Sequence, residues 1–279
     1  QGGGVYCNQT GNVLHCEIVS NRSLFYGGGI YCAQGGMVEG CRVAANTCSN
    51  ATGSNYGGGL YATNGGVIQS TLFSNNYARS AGGGAYLLCG RPVVFSDCVL
   101  ADNVAGASGG GVYLSNTGLV SGCDIVSNRS IDSNGGGVYF YEAGTASNCT
   151  IRGNVAGSSG AGLYSNRAGK AIQCVFSGNE TPFNGGGAYL YDYSSAVDCD
   201  FTGNRAGQNG GGLYLGGNNY ITSRNCRVEG NVASNNGGGI WHASGSFVDA
   251  CVVRSNTAGK GGGLYSHYGE VRNCLIEAN

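Results

Sequence analysis

Cleaving a glycan takes carboxylates gathered on one face, often helped by calcium or a basic side chain. This chain of 279 residues holds only 15 Asp and Glu. Asp198 and Asp200 flank Cys199, with Asp192 nearby, and form the one modest acidic cluster. It is expected to be surface charge rather than a catalytic site. His15, His242 and His267 fall at different repeat positions. Each is expected to be an exposed polar residue rather than a general base. No catalytic residue, metal site or cofactor is implied, and the chain is expected not to be an enzyme.

Fourteen cysteines could make disulfides, metal sites or redox centres. Ten recur at one repeat position, without the C-x-x-C spacing of a zinc site. Cysteines stacked in register point in parallel, which is poor geometry for a bridge. They are expected to fill a narrow core corner as small buried hydrophobes. Cys7, Cys32, Cys48 and Cys89 lie off that position and are candidate disulfide partners, as Cys48–Cys89 and Cys7–Cys32.

The aromatic residues recur most regularly. Tyr6, Tyr31, Tyr61, Tyr86, Tyr113, Tyr139, Tyr164, Tyr189, Tyr214, Trp241 and Tyr265 each follow a Gly-rich triplet and one apolar residue, at intervals of 24 to 30 residues. About ten residues later comes Cys-x-(apolar)-x-x-Asn, with Ser70 and Asn75 as the one variant lacking Cys. Eleven units of roughly 25 residues therefore make up the chain.

A period of two assigns the faces. The residue before each Tyr is apolar and points in; Tyr points out; the residue after it points in again. A second inward column is Val13, Val38, Val67, Phe95, Val120, Val248 and Val271. The Cys and the apolar residue two later form a third inward pair. Three short stretches per unit describe an all-β solenoid, a right-handed parallel β-helix of about eleven three-sided coils. No segment shows helical periodicity. The Gly triplets turn a corner and let backbones approach closely. Residues 47–56 and 88–92 are insertions that should bulge outward. Residues 1–279 read as one repeat domain, and it shows no distinct end caps.

Asn21, Asn46, Asn75, Asn103, Asn128, Asn154, Asn179, Asn204, Asn231, Asn256 and Asn279 should form an internal ladder that satisfies polar groups at a corner. Among the Asn-x-Ser/Thr sites, Asn50 in the long insertion is the best glycosylation acceptor. Charges alternate in sign between neighbouring units: Glu17 with Arg42, Asp200 with Arg227, Arg224–Asp249–Arg272, and Glu229–Arg254–Glu277. That is the pattern of cross-strand pairing. The Tyr stripe either shields the Gly-rich corners by stacking or offers an aromatic contact surface.

The two anchors resemble the repeat of polymorphic outer membrane proteins, with its G-G-A-(aliphatic) and F-x-x-N motifs. Phe176 with Asn179 and Phe201 with Asn204 match the second; Gly83-Gly84-Ala85 and Gly186-Gly187-Ala188 match the first, each followed by Tyr. Most other coils carry Ile, Val or Leu at the Phe position, and the membrane barrel of that family is absent. The resemblance implies a β-helix at the cell surface or outside the cell, in a contact role.

A net charge of −1 gives no footprint for nucleic acid, and no apolar run approaches a membrane span. The reading is therefore an extracellular structural or adhesive β-helix. A carbohydrate-binding module using the Tyr stripe is the alternative, and a polysaccharide lyase or hydrolase a weaker one. Because the first and last units look like interior ones, the expected partner is the chain itself, continuing or stacked head to tail in a fibre. A surface polysaccharide or host protein is a further candidate.

Overall fold

The computed structural model describes residues 1–88, 90–217 and 219–279. Among the described residues every element is a β-strand and every pairing between strands is parallel. Each coil contributes strands in a fixed order. In the fifth these are Val112–Leu114, Gly118–Ser121, Asp124–Val126 and Arg129–Ser130. Corresponding strands of successive coils pair into three sheets of 11 strands and a narrow fourth of 9, among the described residues. The fourth sheet is built of two-residue strands after the Asn column. They are too short for a period of two to register in the sequence.

Three corners of every coil are turned by a single residue that holds positive φ. In the sixth coil these are Gly135 (φ 68°), Asn148 (φ 52°) and Gly153 (φ 63°). Only the first corner is consistently glycine, since small and polar residues tolerate the left-handed region with modest strain. The other two glycines of the triplet answer a different constraint. A Cβ on Gly136 would stand 2.4 Å from the Val155 carbonyl oxygen, and one on Gly137 2.7 Å from that of Gly162. Ala161 takes the middle position in its coil and is fully buried.

The interior is one cluster running from Cys7 to Val253. Side-chain volume is traded between columns within a coil. Where the second sheet narrows to Ala146, Ala171 and Ala196, the same coils carry Phe140, Phe176 and Phe201, all fully buried. Such exchange keeps the core at constant density.

The Asn ladder is continuous through eleven coils. Each Asn Oδ1 accepts from the backbone N–H and the side-chain amide of the Asn one coil earlier, as at Asn128 from Asn103 (3.1 and 2.9 Å). Each ladder amide from Asn46 onward also donates to a main-chain carbonyl one coil back, as Asn128 does to Leu100 (2.9 Å).

The third coil corrects the expected register by one residue. The ladder there is Asn76, not Asn75: Asn46 donates to Asn76 Oδ1 (3.0 Å), and Asn76 to Asn103 Oδ1 (3.0 Å). Asn75 is the positive-φ corner itself (φ 53°). In the same coil Ile68, not Val67, pairs with Val38 and Phe95. Thr71, not Ser70, occupies the Cys position, where its Oγ accepts from the Cys41 N–H (3.3 Å) and donates to the Gln69 carbonyl (2.9 Å). This alignment buries Phe73 and turns Leu72 outward.

Residues 51–54 are exposed, as an outward bulge requires, but Thr47–Cys48 is a strand of the fourth sheet. Leu88, Gly90, Arg91 and Pro92 are exposed at the turn between the first two sheets.

Candidate functional site

The first sheet faces every repeat aromatic outward in one register, Tyr6 on Tyr31 through to Trp241 on Tyr265. From Tyr6 to Trp241 the rings stack continuously, with centroids 4.2 to 5.3 Å apart and planes within 14°. Tyr265 shares the register, while the ring stacked beyond Trp241 is His267, at 6.4 Å. Tyr26 and Tyr56 form a second layer against Tyr61 (4.8 Å) and Tyr86 (4.5 Å). Each interior ring thus spends both faces on its neighbours, and Tyr61, Tyr86 and Tyr139 are less than a tenth exposed. Burial pushes the Tyr139 and Tyr214 hydroxyls up to about 12 and holds Tyr61, Tyr113 and Tyr189 protonated as well. A stripe of this kind presents edges, not platforms.

The column cysteines from Cys41 to Cys251 are buried; Cys16 is exposed and Cys274 half-buried. Their thiols donate to the carbonyl two residues earlier, as Cys98 does to Ser96 (3.1 Å) and Cys123 to Ser121 (3.2 Å). The candidate bridge Cys7–Cys32 is not formed: the two align in adjacent strands and both thiols are free. Burial pushes the Cys32 thiol up to about 12. Cys48 is also free, and it donates from inside the fourth sheet to the Phe25 carbonyl (3.0 Å). Cys89 lies outside the described residues. Asn50 sits half-buried on the outward loop, with its Oδ1 accepting from the Thr52 N–H (3.4 Å).

Sequence charges meet where the register places them. Arg227 pairs with Asp200 (3.2 Å) and Glu229 (3.1 Å), and Glu229 with Arg254 (3.2 Å). Asp198 accepts from the Asn225 amide (3.2 Å), so the acidic cluster around Cys199 is divided between partners. Asp249 is gripped by Arg272 (3.3 Å) and Arg224 (3.7 Å). The Asn273 amide at 2.9 Å, then these guanidiniums, hold its carboxyl below the usual carboxylate range.

His242 departs from the expected exposure. It follows Trp241 in the inward column and is fully buried, with Nδ1 3.0 Å from the Ser246 hydroxyl and Nε2 without a protein partner. Burial pushes it down to about 4. His15 and His267 are exposed.

A second aromatic feature escaped the sequence pattern. At the corner between the first and second sheets, Tyr193, Tyr220 and Tyr268 occupy equivalent positions of coils eight, nine and eleven. They are 49%, 73% and 86% exposed. Phe247 lies beside Tyr220, ring centroids 6.0 Å apart. Together with Val197, Arg224, Asp249 and Arg272 these two rings line a groove of about 430 Å³. The signal was present as the run of Tyr at one corner. It appears only in the last coils and does not share the period of the main stripe.

The sequence model of the family described as "Right handed beta helix region" matches residues 3–179 and 159–279. No curated protein and no solved structure matches the chain. Parallel sheets in fixed register and a family match spanning nearly all residues agree: the chain belongs to the right-handed β-helix family.

Proposed function

We propose that this β-helix is a non-enzymatic structural or adhesive rod that works outside the cell or on its surface. The observation that carries the reading is that seven of the 15 carboxylates are spent on arginines. Glu17, Asp124, Glu180, Asp200, Glu229, Asp249 and Glu270 each face an arginine at 3.1 to 4.0 Å. A catalytic carboxylate pair needs one member protonated and both directed at a substrate. Carboxylates held by arginine stay ionised and engaged instead. The likeness to polymorphic outer membrane protein repeats supports the surface location. End-to-end association belongs to the same proposal. Apart from Thr71 at one Cys position and Trp241 at one Tyr position, every coil offers the next the same Asn, Cys and Tyr register, and a coil of a second copy would offer it too.

Incubation with polygalacturonate, alginate and xylan tests the non-enzymatic reading. The expected result is no release of reducing ends and no unsaturated product. Product formation that disappears in Asp200→Asn or Asp249→Asn would overturn it. Sedimentation velocity over a range of concentrations tests association: mass should rise with concentration, and a single monomeric species throughout would remove that part.

The second reading, glycan binding on the Tyr stripe, is disfavoured by the stacked rings, since a sugar needs a free aromatic face.

A further inference from the structure

We propose that the corner row Tyr193, Tyr220 and Tyr268, with Phe247 and the Arg224–Asp249–Arg272 set, binds a linear neutral glycan laid along the solenoid axis. The inference deepens the contact-surface reading by naming the surface and the partner.

Backbone conformation is the first support. Tyr193, Tyr220 and Tyr268 hold φ of 59°, 36° and 64°, and coil ten has Gly245 (φ 74°) at the same corner. A bulky side chain in the left-handed region is strained. Glycine would relieve the strain, and coil ten shows that the corner accepts it. Large exposed rings are therefore kept in three of four consecutive coils at a conformational cost. Tyr220 meets Phe247 and Tyr268 meets the edge of His267, yet the rings stay half to nearly fully exposed, so packing repays little of that cost. Unlike the main stripe, their faces are not consumed by a continuous stack.

The surroundings select the ligand. The weakly positive C–H face of a sugar ring complements the negative face of an aromatic ring. Beside Tyr220 and Phe247 lie two guanidinium donors and a carboxylate acceptor, so donors and acceptors converge on one groove. Arg224 uses Nε on Asp249, and its terminal fork can reach hydroxyl groups. The set holds a single net positive charge and is internally paired, which suits a neutral polyhydroxylated chain.

Other polymers fit less well. A peptide strand adds to an open sheet edge, but this corner's backbone is already committed. Tyr193 N–H donates to the Asn219 carbonyl (2.8 Å) and Thr222 N–H to that of Ser194 (3.1 Å). A nucleic acid needs many unpaired cations, and here both arginines share Asp249. Tyr193 and Tyr220 lie one coil rise of about 4.8 Å apart along the axis, and Tyr268 lies two coils beyond Tyr220, so a linear chain meets them in succession.

Native affinity electrophoresis through gels containing hydroxyethylcellulose, galactomannan or arabinoxylan tests the proposal. At least one should retard the protein. Tyr220→Gly combined with Tyr268→Gly should weaken retardation at least tenfold without lowering the thermal midpoint. Arg224→Gln should weaken it with the fold intact, and Tyr141→Ala, an exposed ring off the row, should not. Three results would each overturn the proposal: no retardation by any of the three polymers, retardation unchanged in the double variant, or a lower midpoint in that variant, since the rings would then serve the fold. Reducing ends measured in parallel keep the outcome separate from the non-enzymatic reading, which fails only if the polymers are cut.

Discussion

One asparagine holds each ladder corner with four side-chain hydrogen bonds. Asn76 Oδ1 accepts twice from Asn46, and its amide donates to the Val43 carbonyl and to Asn103. Replacing it strands several buried groups at once, each worth about 1–3 kcal/mol. Asn76→Ala should therefore cost about 3 kcal/mol in urea unfolding. Asn75→Gly should change stability by less than about 1 kcal/mol, because Asn75 supplies only a left-handed corner. The opposite order of effects would restore Asn75 to the ladder. His242 gives a second residue-level test. Its folded pKa of about 4 lies below the ordinary 6.5, so the unfolded chain takes up the proton first. Stability from this site is complete above pH 6.5 and is lost as pH falls toward 4. Denaturant midpoints should show a loss of about 2 kcal/mol from pH 7 to pH 5. His242→Leu, matching Leu215 in the same column, should remove most of it. An unchanged pH dependence in that variant would place the sensitivity elsewhere.

The strands were legible because two periods overlap: alternation along each strand and the 25-residue return of each column. Tyr, Cys and Asn mark positions that tolerate almost nothing else, and their spacing alone placed three sheets and the ladder. The failures have physical causes. In coil three, Ser70-Thr71 and Asn75-Asn76 are neighbours of similar polarity, so the pattern fits either of two alignments. A one-residue slip exchanges the faces of a strand, and burial of Phe73 over Leu72 decides between them. His242 was misjudged because its type outweighed its position: the residue after the aromatic points inward whatever it is. The corner tyrosines were invisible for a related reason. They sit at a turn whose length differs among coils, so no fixed offset from the main stripe marks them. Surface chemistry is the least legible layer, since it does not have to repeat.

Each coil touches only its neighbours, so the stability of the rod is a sum of coil and interface contributions. What must be conserved along the axis is register rather than any particular coil. Val138 pairs with Leu163, and Tyr139 with Tyr164. Removing the 25 residues from Tyr139 to Leu163 joins Val138 directly to Tyr164 and leaves every ladder in step. Asn128 would then meet Asn179, Cys123 would meet Cys174, and Tyr113 would stack on Tyr164. The shortened protein should fold, keep a β-sheet circular dichroism spectrum, and lose only the share of unfolding enthalpy that one coil supplies. Removing 24 residues by retaining Leu163 inserts an extra residue ahead of Tyr164. That reverses the faces of one strand and sets a tyrosine against the core. Because a phase error cannot be absorbed inside a β-strand, this variant should unfold at a markedly lower temperature than the 25-residue deletion, although it keeps more of the chain. Equal midpoints for the two would mean that the coils are held by something other than their shared register.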